Sequence, residues 1–376
     1  MTTSFTPAKG LEGVVAASTR LSDVRGDIGQ LIYCGYDINE LAGRVTFEEV
    51  VHLLHHDHLP DRRALDELKA LLAVKRELPK GVVEVIKKFP KDAPPMHVIR
   101  TAVSALGCFD PEADNNSMDE NRLKALRLIA RIPMITAYFH RHRQGKSLLP
   151  PEPSLGEAAN FLYLIDGEAP SQEKVNTLDM CYVLHADHGM NASTFSARVT
   201  IATLSDMYSA ITSAIGTLKG PLHGGANEGV IKMLQEIGSL DRVDAYIAEA
   251  LAQRKKIMGI GHRVYKTLDP RAPHLKRMAQ MLSAKIGEPK WIQMSERIAE
   301  IMLKEKNLHA NVDFYSATVY YSLGIPTDLF TPIFAVSRAA GWTAHVLEQL
   351  ADNRLIRPQS QYIGPVGLKV TPIEER

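Results

Sequence analysis

The chain has 376 residues, 45% of them hydrophobic and 23% charged, enough for two or three domains and too apolar for global disorder. Lys and Arg total 44 against 43 Asp and Glu, a net charge of +1, which argues against a protein whose main task is gripping nucleic acid. Cys34, Cys108 and Cys181 are an odd, widely spaced set with neither a disulfide framework nor a CxxC zinc pattern, so a reducing, cytoplasmic setting is expected. Met1–Gly10 carries one lysine and no apolar run behind it, unlike a secretory signal, and no apolar stretch approaches the roughly 18 residues of a membrane span.

In chain order, short strands are predicted at Val14–Ser18 and Leu31–Cys34. Phe47–His56 then places Phe47, Val50, Val51 and Leu54 on one helical face, and Asp61–Leu72 repeats the pattern through Leu65, Leu68 and Leu72. Pro79 can open a helix carrying Val82, Val83 and Ile86. Ser117 and Glu120 have capping-box spacing ahead of a long helix, with Pro133 inside it as a kink. Further helices are expected near 154–165, 171–187, 191–218, 225–237, 240–253, 272–286, 290–305, 312–323 and 328–351, and a last strand at Gln361–Leu368. The fold class is therefore mainly α, with small β elements at the termini.

Three loops interrupt this patterning and carry His or Asp: Lys219–Gly225, Met258–Asp269 and Lys306–Asp313. His223, between Gly220-Pro221 and Gly224-Gly225, is either a loop histidine near a cap or a neutral imidazole at a helix start, able to hydrogen-bond a developing enolate. His262 lies in Gly259-Ile260-Gly261-His262, where glycines admit a ligand to the backbone. Lys255, Lys256, Arg263 and Lys266 around it suit phosphates or form a flexible basic loop. Arg271, after Asp269-Pro270, could clamp a carboxylate. Asp313 is either the N-cap of an apolar helix or a general base made more basic by apolar walls such as Phe314.

His185 and His188 have the spacing of a metal pair without an evident third ligand, and His188 could instead bind a substrate carboxylate or keto oxygen. The cluster His52, His55, His56, Asp57 and His58 reads as a solvated helix end. Arg338 sits in an apolar helix and needs an anionic partner, structural or substrate. Arg357 lies in the basic C-terminal segment.

Together, the ordered segments GPLHGGANE, GIGHRVYKTLDPR, NVDFYS, FAVSRAAGW and RLIRPQSQYIG resemble citrate synthase, in its short bacterial and archaeal form. Gly10–Ala16, Leu31–Ala42, Ile99–Leu106 and Ala186–Phe195 add to the likeness, which runs from about residue 10 to 370; Cys34 stands where the family pattern would place an arginine. The resemblance implies a two-domain helical fold, with a large domain formed by 1–223 and 324–376 and a small domain by 224–323. It implies His223, His262 and Asp313 as the catalytic trio. Oxaloacetate would be held by His188, His262, Arg271, Phe334 and Arg338, with Arg357 reaching in across a homodimer interface. Coenzyme A would meet Lys255, Lys256, Ile257, Met258, Gly259, Ile260, Gly261, Arg263 and Lys266. No metal or further cofactor is implied, and no nucleic-acid or membrane partner.

The expected reaction is condensation of acetyl-CoA with oxaloacetate followed by thioester hydrolysis. The competing reading on the same scaffold is 2-methylcitrate synthesis from propionyl-CoA, since one methylene is worth only about 1–3 kcal/mol of discrimination. Readings from other classes are a metal-binding helical protein using the histidine clusters and a non-catalytic scaffold.

Overall fold

The structure is a computed structural model that describes residues 8–376. Most of the Met1–Gly10 segment read above lies outside the described residues. Three short strands come first: β1 (Ser22–Arg25), β2 (Gln30–Tyr33) and β3 (Tyr36–Asp37), an antiparallel sheet in that order. Tyr33 pairs with Tyr36 across Cys34-Gly35, both at positive φ (43° and 90°), the conformation that a two-residue hairpin turn demands. The strand expected at Leu31–Cys34 is thus found one residue earlier. Those expected at Val14–Ser18 and Gln361–Leu368 are absent: both segments are irregular and largely exposed, without a partner strand, and the second is broken by Gly364, Pro365 and Gly367.

Sixteen α-helices follow among the described residues. The first group is α1 (Ile38–Leu41), α2 (Phe47–His56), α3 (Arg62–Lys75), α4 (Lys80–Lys88), α5 (Pro95–Cys108) and α6 (Met118–Arg143). α2 opens with a full capping box between Thr46 and Glu49. At α6 only half of the expected box forms: the Ser117 hydroxyl accepts from the Glu120 N–H, while the Glu120 carboxylate turns to Arg127. Pro133 lies within α6. α5, with Pro95 at its first position, was not predicted.

Next come α7 (Glu157–Asp166), α8 (Gln172–His185), α9 (Ala192–Ile201) and α10 (Met207–Leu218). The single helix expected over 191–218 is two. Leu204 takes a left-handed φ of 64°, and Asp206 caps the new start by accepting from the Ser209 N–H, so α10 folds back against α9. The remaining helices are α11 (Ala226–Ile237), α12 (Val243–Ala252), α13 (Ala272–Ile286), α14 (Lys290–Lys306), α15 (Val312–Ser322) and α16 (Phe330–Ala351).

α11 to α15 pack chiefly on one another. α16 returns to α2, α6, α8, α9 and α10 and is buried from Phe330 to Leu347, as a helix apolar on all sides must be. Beyond it, residues 352–376 run along the surface with Leu355, Tyr362, Ile363, Val366, Leu368 and Val370 exposed. No helix among the described residues is long and apolar enough to cross a membrane.

The β1–β2 hairpin has a second task. The Lys266 N–H donates to the Gly26 carbonyl at 3.0 Å, and a Cβ on Gly26 would lie 2.2 Å from the Val264 carbonyl oxygen. The hairpin therefore lies directly on the segment that follows His262, a closeness only glycine permits.

Candidate active site

Two loops from the α11–α15 group are stitched together. Gly261 N–H donates to the His309 carbonyl, Asn311 N–H to the Gly259 carbonyl, and Asn311 Nδ2 to the Gly261 carbonyl at 2.7 Å. Gly259 holds φ at 73°, and a Cβ there would sit 2.9 Å from the Phe314 Cα. This seam fixes His262 relative to Asp313.

Asp313 is not the N-cap of α15. Asn311 takes that place, accepting from the Asp313 N–H, because its side chain reaches the free amides of the first turn while its backbone is still extended. The Asp313 carboxyl is left free of capping. Its Oδ1 is buried with no hydrogen-bond partner, and burial first of all pushes its pKa up to about 6, against the opposing pull of Arg271.

His262 Nδ1 accepts the backbone N–H groups of Val264 (3.0 Å) and Tyr265 (3.1 Å). A nitrogen that accepts cannot carry the proton, so Nε2 does. Burial, then Arg271, lowers the His262 pKa to about 4, and the ring is a neutral Nε2–H donor. His188 lies 5.3 Å away between ring centres, and its Nε2 meets the Tyr265 hydroxyl at 3.1 Å. Burial and Arg271 hold His188 far below the usual histidine range.

The loop bearing His188 is clamped by the sheet. Tyr33 Oη donates to the Asp187 carbonyl (2.7 Å) and accepts the Asp187 N–H, while Ser22 Oγ accepts the Gly189 N–H. His185 points elsewhere, its Nδ1 on the Cys181 carbonyl, so the HxxH pair does not converge on one point.

His223 sits three residues before α11, in a turn closed by its own N–H to the Gly220 carbonyl, not at the helix start itself. Its pKa is lowered to about 4 by burial first and Arg338 second. Its Nε2 lies 2.8 Å from Ser193 Oγ, which also accepts the Trp342 Nε1–H (3.0 Å). Phe334 packs its ring edge-on to His223 and lies under the Arg338 guanidinium at 4.7 Å.

Arg271 and Arg338 are both buried but differently partnered. Arg271 is locked to Asp269, whereas Arg338 makes one hydrogen bond, Nε to the His185 carbonyl, with no carboxylate at ion-pair distance among the described residues. Burial lowers the Arg338 pKa to about 10. Arg338 acts electrostatically on His223, His188 and Asp313, and Arg271 on His188, His262 and Asp313. These six side chains are thus coupled to one another electrostatically, and ring contacts join His188 to His262 and His223 to Phe334.

The remaining candidates flank this group or lie at the surface. Lys255, Lys256, Arg263 and Lys266 are exposed, Met258 is half-buried, and Ile257 and Ile260 point into the core. Gly261, His262, Tyr265, Lys266 and Asp269 line a cavity of about 230 Å³ with the 307–311 loop. Arg357 is exposed and has no ion-pair partner among the described residues. The histidine cluster is a solvated face only at His56, Asp57 and His58, since His52 is buried and His55 hydrogen-bonds Thr343. Among the described residues no group of three or more His, Cys, Asp and Glu side chains is arranged to hold a metal ion. Sequence reasoning missed Asp269, Tyr265, Ser193 and Trp342. The first two stood inside the GIGHRVYKTLDPR segment, while nothing local marks the last two as neighbours of His223.

The family model described as citrate synthase, C-terminal domain, matches residues 10–359. A protein named citrate synthase 2 from Bacillus subtilis is 52% identical over 373 residues, covering 99% of this chain and 100% of its own length. A 2-methylcitrate synthase 1 from Corynebacterium glutamicum is 40% identical, covering 98% of both chains. Among solved structures, the ternary complex of carboxymethyl coenzyme A and oxaloacetate with citrate synthase from Thermoplasma acidophilum aligns with a TM-score of 0.94 at 35% identity, over 99% of this chain and 100% of that one.

Proposed function

The chain belongs to the citrate synthase family of transferases, and from that premise we propose that it condenses acetyl-CoA with oxaloacetate and hydrolyses the resulting thioester, releasing citrate and coenzyme A. The observation that carries this reading is that a buried guanidinium lacking a carboxylate partner, Arg338, acts electrostatically on a carboxylate whose buried Oδ1 lacks a hydrogen bond, Asp313. A dianionic keto acid satisfies the first, and the second suits a base for a weakly acidic carbon.

In this mechanism Asp313 removes the α-proton of the thioester. The thioester oxygen gains charge as it does so, and His223 donates a hydrogen bond there. For His223 to donate through Nδ1, its Nε2 must accept. Ser193 can provide this if its hydroxyl hydrogen, which has both Asn191 Oδ1 (2.7 Å) and His223 Nε2 (2.8 Å) in reach, is given to His223, Trp342 Nε1–H meanwhile occupying a Ser193 lone pair. The enolate carbon attacks the ketone of oxaloacetate, whose oxygen takes a hydrogen bond and then a proton from His262 Nε2. Arg271, Arg338 and His188 hold the two carboxylates and fix the face of attack. Phe334 walls the substrate.

His262, Arg271 and Asp313 belong to 224–323, whereas His188, Phe334 and Arg338 belong to 1–223 and 324–376. Closure of one domain on the other therefore completes the site and shields the carbon nucleophile from water, with oxaloacetate bound first. The glycine-bearing loop at 256–262 would meet coenzyme A through its backbone, with Lys255, Lys256, Arg263 and Lys266 toward the phosphates. The exposed apolar run after α16 supports a homodimer in which that segment lies on the partner and brings Arg357 to the partner's oxaloacetate. The three free cysteines fit a cytoplasmic setting.

Free thiol release from acetyl-CoA, measured with and without oxaloacetate, tests the reaction: release must depend on the keto acid. The kinship to 2-methylcitrate synthases keeps propionyl-CoA as a second acyl donor. A higher kcat/KM for propionyl-CoA than for acetyl-CoA would reassign the substrate and leave the mechanism standing.

A further inference from the structure

Tyr265 is buried and touches both imidazoles that face the keto-acid end of the site. Its backbone N–H donates to His262 Nδ1, its ring packs on the His262 ring with centres 4.7 Å apart, and its hydroxyl reaches His188 Nε2 at 3.1 Å. The rings of Tyr265 and His188 also meet edge to face at 5.5 Å. The segment cannot easily shift, since Gly26 and Lys266 pin the backbone on the next residue.

We propose that Tyr265 is a positioning residue that fixes the orientation and the tautomer of His188, so that two neutral imidazoles present N–H groups to the keto acid. The argument concerns one proton. A buried phenol hydrogen needs an acceptor, and among the described residues His188 Nε2 is the one within hydrogen-bond reach of this hydroxyl. Tyr265 therefore donates, Nε2 accepts, and the proton of the neutral His188 ring stands on Nδ1. His262 has the opposite arrangement, with Nδ1 accepting and Nε2 carrying the proton. The Tyr265 hydroxyl thus sets the tautomer of one ring while the backbone N–H groups of Val264 and Tyr265 set the complementary tautomer of its neighbour, which lets both donate at once without either being charged. The inference rests on the reading that oxaloacetate occupies this end of the site.

The test is Tyr265→Phe, which keeps the ring and its packing and deletes the donor. In 15N-histidine-labelled protein the His188 signals, assigned by their loss in His188→Asn, should report a proton on Nδ1 in the parent. In the Phe variant they should report a shift toward Nε2 protonation. The oxaloacetate KM should rise about tenfold, the acetyl-CoA KM staying within about twofold, a split that general destabilisation would not produce. An unchanged His188 tautomer together with an unchanged oxaloacetate KM overturns the proposal. The tautomer readout needs no turnover, so a parent enzyme that releases no thiol with oxaloacetate would count against the reaction and not against the Tyr265 contact.

Discussion

Asp269 and Arg271, two residues apart, form a fully buried bidentate pair, with Arg271 Nε 2.9 Å from Oδ1 and Nη2 2.8 Å from Oδ2. Asp269 Oδ2 also accepts the Val312 N–H, at the first turn of the helix that bears Asp313. One carboxylate thus aims a cation and anchors a base. It pulls the Asp269 pKa down and pushes that of Arg271 further up.

Asp269→Asn is isosteric but removes the charge. It leaves a buried guanidinium unpaired, which should cost about 3 kcal/mol or more in urea unfolding. The Asp269 charge also raises the Asp313 pKa. Its loss, with Arg271 unmasked, should therefore move the acidic limb of the kcat/KM profile to lower pH. A limb that stays in place, or moves up, would show that Asp269 does not influence the base.

Asp313 ties activity and stability together with opposite signs. Its pKa stands at about 6 in the folded chain, against an ordinary 3.8, because burial penalises the carboxylate. As the active form is the carboxylate, kcat/KM should rise with pH through about 6. Stability behaves in reverse: the folded state holds the proton more tightly, so this group lowers stability as pH rises from about 4 to 6. The full penalty, on the order of 3 kcal/mol, persists above that range. Asp313→Asn should cut thiol release by roughly 10²–10⁴-fold and yet be the more stable protein at pH 7. The stability gain should vanish below pH 4, as thermal unfolding across pH would record.

How much of this was legible in the sequence depends on how local the cause is. Helices α2, α3 and α6 announce themselves through apolar spacing and caps, since both are set within a few residues. The break at Leu204 does not, because the residues before and after it share one continuous apolar pattern and only the left-handed backbone separates them. Strands were the weakest reading: β1 is held by pairing and by Ser22 on the Asp187 loop, and β3 by pairing with β2, not by alternation of their own side chains. Chemistry-bearing loops stood out by composition. The partners that tune them did not: Ser193 lies 30 residues from His223, and Trp342 is 149 from Ser193, brought together by the packing of α9 on α16.

Arg338 offers a binding test that needs no turnover. Its guanidinium is buried over Phe334 without a carboxylate among the described residues, so an added dianion should stabilise the fold. Oxaloacetate alone should raise the melting temperature of the parent protein. In Arg338→Met that rise should be lost, with the oxaloacetate KM increased about 100-fold. The ligand-free variant should be at least as stable as the parent, because the substitution removes a desolvated charge rather than an ion pair. An equal oxaloacetate shift in both proteins would remove Arg338 from the site.

Arg357 tests whether the site is shared between subunits. It is exposed on a surface segment whose apolar side chains find no cover within their own chain. If it reaches the partner's oxaloacetate, Arg357→Ala and His223→Ala should each be nearly inactive alone, for different reasons. In a mixed dimer one site then receives an intact His223 from one chain and an intact Arg357 from the other, while the second site carries both lesions. Refolding an equal mixture gives about half mixed dimers, each with one working site of two, so about a quarter of parental activity should return. If each chain serves only itself, every site in the mixture keeps a lesion and nothing returns. Differently tagged chains, co-purified in sequence, isolate the mixed species and should raise the recovered activity to about half per dimer.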